Sequence, residues 1–276
     1  MNTKKEYYSK TSGEIQKANG TWALILGGSN GLGLATAKKL ARHGFNIIIV
    51  HRDRRTNMDE IERDFKEISA LGVQFKSFNR DAIHPEKRQE ILSEIAAFLP
   101  EGHKIKVLVH SIAKGNLKPM HAENQSVLTH QDIEITFEAM ALSLYDWTKE
   151  IHERKLFHED TRIISFTSEG NTKVMPGYGA VSVAKVALEA LTRNIALEFA
   201  PAGIKANCIQ AGVTHTKSLA MIPRYEKLMQ HALKRNPQGR LTTPEDVANA
   251  VYLLTTDEAK WITGTVLKVD GGESLR

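Results

Sequence analysis

The sequence predicts an α/β fold, a single doubly wound domain around a seven-stranded parallel sheet, on three observations. Seven short apolar, β-branched runs alternate with helical patterns from residue 21 to the C-terminus. Those runs are apolar throughout, as strands covered on both faces require. No internal repeat, low-complexity stretch or long linker divides the chain, so one domain is expected over 21–276, preceded by a polar arm at 1–20.

The strand candidates, in order, are TWALILG at 21–27, NIIIVH at 46–51, VQFKSFN at 73–79, KVLVHSI at 106–112, TRIISFT at 161–167, IKANCIQ at 204–210 and TVLKVD at 265–270. Helical patterns fall near 31–43, 57–71, 85–99, 129–157, 178–200 and 243–256. Right-handed crossovers between parallel strands then produce the doubly wound arrangement. Residues 213–240 form a long excursion after the sixth strand, the kind of segment that often serves as a lid. Its Leu219, Met221, Ile222, Tyr225, Leu228 and Met229 suit either an apolar lid over a substrate chain or a helix face packed on the core.

Composition narrows the function classes. Hydrophobic residues make up 41% and charged residues 25%, a balance that supports a sizeable core. No apolar run approaches the roughly 18 residues that a bilayer span needs. The polar start MNTKKEYYSKTSGEIQKANG lacks the apolar stretch of a signal peptide. A single cysteine, Cys208, excludes an internal disulfide and fits a reducing compartment. A soluble, cytoplasmic protein is expected. The net charge of +5 is dispersed, and only HRDRR at 51–55 is dense. Without aromatic interleaving or a nucleic-acid module, a phosphorylated cofactor or an acidic carrier explains it more economically than nucleic acid. The histidines form no metal set, and His152–Glu153 and His158–Glu159 read as polar helix ends.

The first strand runs into LILGGSNGLGLATAKKLARHG, where Gly27, Gly31 and Gly33 open the first helix. Glycine there permits a tight turn, close approach of backbone to a pyrophosphate, and close helix–strand packing. The helix start adds free N–H groups and a positive dipole end, so Ser29, Asn30 and Leu32 join the candidate cofactor turn. Such a turn on the first strand of an alternating chain indicates a dinucleotide and a Rossmann-type domain.

The end of the second strand selects between NAD and NADP, through an acid for the ribose 2′-OH or an arginine for a 2′-phosphate. Here it reads His51 and Arg52, then Asp53, which lies one or two places late for the acidic role. NADPH is therefore preferred over NADH, with Arg52 the best single candidate. Asp81 and Ala82 follow the third strand and suit either the adenine side or an ordinary turn.

Tyr178 and Lys185 head the run YGAVSVAKVALEALTRNIALEFA. Seven helical steps of about 100° bring the two onto one face with an offset of only about 20°. A cation beside a phenol stabilises phenolate and lowers its pKa, so the pair can form an acid site. An ordinary amphipathic surface helix is the alternative reading of the pair alone.

These elements together resemble the short-chain dehydrogenase/reductase superfamily from about residue 20 onward. The resemblance is carried by GGSNGLG, VHSIA, the Tyr–Lys helix, NCIQAGVTHT and GRLTTPEDVANAVYLL…ITGTVLKVDGG. Departures from the common pattern are more specific. The Tyr–Lys interval is seven rather than four, His110-Ser111-Ile112-Ala113 replaces Asn-Asn-Ala-Gly, Met140 replaces a helix asparagine, and Ala211-Gly212 replaces Pro-Gly. Each is similar to enoyl-acyl-carrier-protein reductases, and closest to their NADPH-dependent branch. Ser168 stands where many enoyl reductases carry a second tyrosine. It resembles that branch but also the ketoreductase serine, whose usual spacing would point to Ser165, a residue more in keeping with a buried strand position.

The resemblance implies NADPH-dependent reduction of the C2=C3 bond of a trans-2-enoyl thioester, carried on acyl carrier protein, in fatty-acid elongation. Tyr178 would bind the thioester oxygen and Lys185 the nicotinamide ribose. Ser168 would orient substrate or merely cap its strand. Ser111, Ile112 and Ala113 would line the nicotinamide side, and Gly212, Thr214 and Thr216 would approach the cofactor. A homotetramer built through the Tyr178 helix and the C-terminal segment is also implied. Two rival readings remain, a carbonyl reductase acting on a 3-oxoacyl thioester or small ketone, and a cofactor-binding regulatory protein without catalysis.

Overall fold

The computed structural model describes residues 20–222 and 225–276, and the expected arm over 1–20 falls outside them but for Gly20. A seven-stranded, wholly parallel sheet runs through the domain in the order β3-β2-β1-β4-β5-β6-β7. The strands are β1 (Thr21–Leu26), β2 (Asn46–His51), β3 (Phe75–Asn79), β4 (Lys104–His110), β5 (Phe157–Ser168), β6 (Ile204–Ala211) and β7 (Val266–Val269). Strand order reverses between β1 and β4, so the crossovers leaving these neighbours diverge to opposite faces and open a crevice at the carboxyl ends.

Side-chain alternation along each strand feeds two cores. Trp22, Leu24 and Leu26 of β1 join Ile48 and Val50 of β2 on one face, and Ala23, Ile25, Ile47 and Ile49 line the other. The first face is covered by α3 (Pro85–Phe98), α5 (Ser143–Glu153) and α6 (Gly179–Glu198). The second is covered by α1 (Gly31–Arg42), α2 (Met58–Ser69) and α9 (Pro244–Thr255). Both faces of the inner strands are thus shielded from water, which is why β1, β2 and β4 read as nearly continuous apolar runs, whereas the edge strands β3 and β7 are partly exposed.

The long helix expected over 129–157 is divided. It comprises α4 (His130–Phe137), a five-residue π turn at Glu138–Leu142, and α5. A capping box of Thr129 and Asp132 starts α4. The helix ends early because Lys155 adopts φ +55. The chain then enters β5 four residues sooner than the apolar pattern suggested, with Phe157 pairing Ile105 ahead of a register shift. The π turn buries Ala139, Met140 and Ala141, and such turns recur at functional sites. The excursion after β6 carries α7 (Lys217–Ala220) and α8 (Tyr225–Arg235).

Trp147 of α5 is fully buried and its indole donates to the Ala82 carbonyl at 2.9 Å. This bond holds the turn after β3 against the helix layer. Trp147→Phe keeps most of the ring volume but strips that carbonyl of its donor. We expect a loss of about 1–3 kcal/mol in stability, read as a lower denaturant midpoint at unchanged slope.

Candidate active site

A cleft of about 1080 Å³ opens at the carboxyl ends of β1, β4, β5 and β6. Thirteen of the residues singled out by sequence line it: Gly27, Asn30, Gly31, Leu32, Ser111, Ile112, Ala113, Ser168, Tyr178, Lys185, Gly212, Thr214 and Thr216. Ser29, Gly33, His51, Arg52, Asp81 and Ala82 are not among its lining residues.

The glycine turn has the shape its sequence suggested. Gly27 adopts φ +83, and a Cβ there would lie 2.5 Å from the Ser111 carbonyl oxygen. A Cβ on Gly33 would collide with the Gly27 carbonyl oxygen, so the first turn of α1 sits directly on the loop after β1. Gly31 adopts φ +55, and a Cβ there would lie in ordinary contact with Thr216 Cγ2 at 3.5 Å. Asn30 caps α1 without a side-chain bond to the helix, and no acidic residue occupies the first turn. The amide donors there are left for an anion, and the cradle fits the pyrophosphate of a dinucleotide.

At the far end of β2, the Arg52 side chain is largely exposed and its Nη1 donates to Asp81 Oδ2 at 2.7 Å. Burial alone would raise the Asp81 carboxyl, but the Ile83 amide and the Arg52 guanidinium override it and hold it below its ordinary value. His51 is buried, with Nδ1 2.9 Å from Asp53 Oδ2. Its ring is therefore committed to Asp53 rather than to the cleft. Ser29 is buried beneath the turn, Thr214 donates to the Gly212 carbonyl at 2.9 Å, and Thr216 caps α7 by accepting from the Leu219 amide.

Tyr178 is the N-terminal cap of α6, and its hydroxyl shares a 3.2 Å hydrogen bond with Ser168 Oγ at the end of β5. Gly170 makes room for the ring, since a Cβ there would lie 2.5 Å from Tyr178 Cε1. One feature differs from the sequence-based expectation. Burial pushes the Tyr178 phenol above its ordinary value, and only the Ser168 hydrogen bond opposes the rise. Lys185 is not among the groups that shift it; its Nζ donates to the Phe166 carbonyl at 2.7 Å in the helix–strand seam. Burial brings Lys185 itself down to about 8, opposed by Cys208 and Glu189. Ser165 is fully buried against Cys208 and Thr192, as its strand position suggested.

His110 ends β4 with Nε2 2.7 Å from Ser143 Oγ, and Nδ1 buried without a partner. Burial lowers it to about 3, with the Lys185 charge adding, so the ring is neutral at physiological pH. Met140 lines the cleft where a relaying asparagine would sit, offering no hydrogen bond.

A charged clasp escaped the sequence reading. Arg235 of α8 bonds Glu169 at 2.6 Å and Glu273 at 3.3 Å, and Glu273 Oε2 accepts from the Val213 amide at 3.0 Å. Helix α8, the turn after β5 and the loop after β6 are thereby joined at one point. These residues lie tens of positions apart, and no local pattern marks them. Of the expected lid residues, Leu219, Met221, Ile222 and Leu228 reach the cleft; Tyr225 and Met229 are not among its lining residues. Among the described residues, no group of three or more potential ligands is placed to hold a metal, and no helix is long and apolar enough to cross a membrane.

Comparison with known proteins follows the same outline. The family described as Enoyl-(Acyl carrier protein) reductase matches residues 27–274. Oxidoreductase UcpA of Salmonella typhimurium is 29% identical, covering 94% of this chain and 96% of the relative. The enoyl-[acyl-carrier-protein] reductase [NADH] 2 of Rhizobium meliloti is also 29% identical, over 93% of this chain and 92% of its own. A short-chain dehydrogenase from Burkholderia cenocepacia, solved in complex with NADP, superposes with a TM-score of 0.77 at 25% identity, covering 94% of this chain and all of that one.

Two outcomes test this geometry without turnover. Ser168→Ala removes the group that opposes the effect of burial, so the Tyr178 phenol should ionise at higher pH than in the parent, followed by ultraviolet difference titration. Gly33→Ala forces α1 off the turn, and dinucleotide affinity measured by calorimetry should fall at least about tenfold, equivalent to about 1.4 kcal/mol.

Proposed function

The chain belongs to the enoyl-(acyl carrier protein) reductase family of short-chain oxidoreductases, and on that premise we propose that it reduces the C2=C3 double bond of a trans-2-enoyl thioester with NADPH. The observation that carries this reading is Tyr178. Its phenol stands inside the cleft that the glycine turn and Lys185 also line, seven residues before that lysine. The reduced nicotinamide cofactor, when bound, supplies the hydride.

The protein's part is to bind, orient and exclude water. The glycine turn and the free amides of α1 hold the pyrophosphate, and Ser111, Ile112 and Ala113 border the nicotinamide side. Lys185, fixed on the Phe166 carbonyl, presents its remaining N–H groups to the ribose hydroxyls. Tyr178 donates its hydroxyl proton in a hydrogen bond to the thioester oxygen and stabilises the negative charge that develops there. A raised phenol value suits this role, because the donor stays protonated at neutral pH. Ser168 orients the phenol. In conjugate reduction the oxygen lies two carbons beyond the atom that accepts hydride, so a longer Tyr–Lys interval is chemically apt. Leu219, Met221, Ile222 and Leu228 form the apolar lid over the acyl chain.

NADPH is favoured by the exposed Arg52 at the end of β2, and by the engagement of Asp53 with His51, which leaves that carboxylate poorly placed for a ribose hydroxyl. Exposed Val186 and Leu197 on α6, with Leu253 and Trp261 near the C-terminus, support a homotetramer. The surplus of basic residues suits an acidic carrier protein in the cytoplasm. The Ser168–Tyr178 hydrogen bond specifically favours a second reading, reduction of a 3-oxoacyl thioester, because a ketoreductase uses a serine in that contact.

Purified protein should oxidise NADPH with a crotonyl thioester. Oxidation only with an acetoacetyl thioester would establish the second reading instead. Tyr178→Phe should lower kcat by about 10²–10³, the scale of one lost donor to a developing oxyanion; unchanged turnover would remove Tyr178 from the chemistry. Arg52→Ala should raise KM for NADPH by about tenfold or more while leaving that for NADH nearly constant.

A further inference from the structure

Lys185 is a buried cation with no ion pair among the described residues. An isolated ammonium in such surroundings is costly unless a counter-charge stands near it. The groups that face it come from four elements. Glu189 lies on its own helix, which Tyr178 caps at the N-terminus, His110 ends β4, Phe166 supplies a carbonyl from β5, and Cys208 lies on β6. Burial raises the Cys208 thiol, so it is neutral at physiological pH. His110 is neutral as well, and a phenol is uncharged there. Glu189 is then the anion that remains.

Its position is built rather than incidental. Glu189 follows Lys185 by four residues, one helical turn, which places the two side chains as neighbours on α6. Thr167 Oγ1 donates to Glu189 Oε1 at 2.6 Å, and the Asn171 side-chain Nδ2 donates to the same oxygen. Thr167 directly follows Phe166, whose carbonyl holds the ammonium. One stretch of β5 therefore anchors both charges.

We propose that Glu189 is a positioning residue for Lys185: clamped by Thr167 and Asn171, its carboxylate keeps the buried ammonium charged and seated on the Phe166 carbonyl. The inference rests on the catalytic reading of Lys185 only for its consequence in turnover, since the charge relation itself exists in the free protein.

Glu189→Gln is the clean test, because the amide retains the shape and the Oε1 acceptor while losing the charge. In the cofactor-free protein, the rate at which an amine-reactive reagent labels Lys185 is followed against pH by peptide mass spectrometry. The labelling transition should move to lower pH by about one unit in Glu189→Gln. The pH at which NADPH affinity falls, read by nicotinamide fluorescence, should move with it. Glu189→Asp, which keeps the charge, should return most of the shift. Thr167→Val, which loosens the carboxylate without removing it, should give a smaller shift in the same direction. Labelling transitions at the parent pH in both Glu189→Gln and Thr167→Val would overturn the proposal, whatever happens to turnover. Intact turnover in Lys185→Ala would instead sink the catalytic reading and leave the labelling result standing.

Discussion

Covering both faces of a parallel sheet confines its chemistry to the strand ends. In this protein water is excluded from both sides of β1, β2, β4, β5 and β6, and the exposed carboxyl ends are where backbone and side-chain polar groups can meet a ligand. The reversal between β1 and β4 spreads the crossovers apart there and makes the crevice. The turn after β1, Ser111 after β4, Ser168 at the end of β5 and Gly212 after β6 converge on it from four separate strands. Their separations are set by strand spacing, so helix α1 has to sit on the Gly27 carbonyl for the cradle to exist.

Within that crevice the electrostatics are those of partial burial. The same desolvation acts in opposite directions on the two central groups, raising a phenol that is neutral when protonated and lowering an ammonium that is charged. The two groups therefore do not form the coupled acid pair that their helical spacing suggests. Tyr178 is tuned through Ser168 at the strand end, and Lys185 is seated on a carbonyl one layer deeper. In the mechanism proposed above, this division would separate a donor directed at substrate from a cation directed at cofactor. Met140 keeps the intervening wall apolar, and the Arg235 clasp ties α8, the turn after β5 and the loop after β6 into one frame around it.

How much of this was legible depended on whether the information was local. Strand runs, the Gly27–Gly33 turn and the Tyr178 helix were visible because periodicity and glycine placement are properties of neighbouring residues. Boundaries slipped where tertiary contacts decide. The β5 start at Phe157 rests on pairing with Ile105, and the left-handed Lys155 ends α5 in a stretch whose sequence reads as continuing helix. The π turn at Met140 gave no sequence signal, since its five residues suit an α-helix equally well.

The sequence by itself therefore determined the fold class, the alternation of strands and helices along the chain, and the thirteen candidates that line the cleft. Their local patterns depend only on rotation per residue, hydrophobic covering and glycine's freedom at positive φ. Tertiary structure alone decided which charges meet. The pairing of Arg52 with Asp81, of His51 with Asp53, and of Arg235 with Glu169 and Glu273 joins segments or turns a side chain in ways no spacing announces. The same holds for Glu189 beside Thr167, Asn171 and the Lys185 ammonium. Coulomb and desolvation energies depend on distance through space and on burial, and both come into being only when the chain has closed on itself.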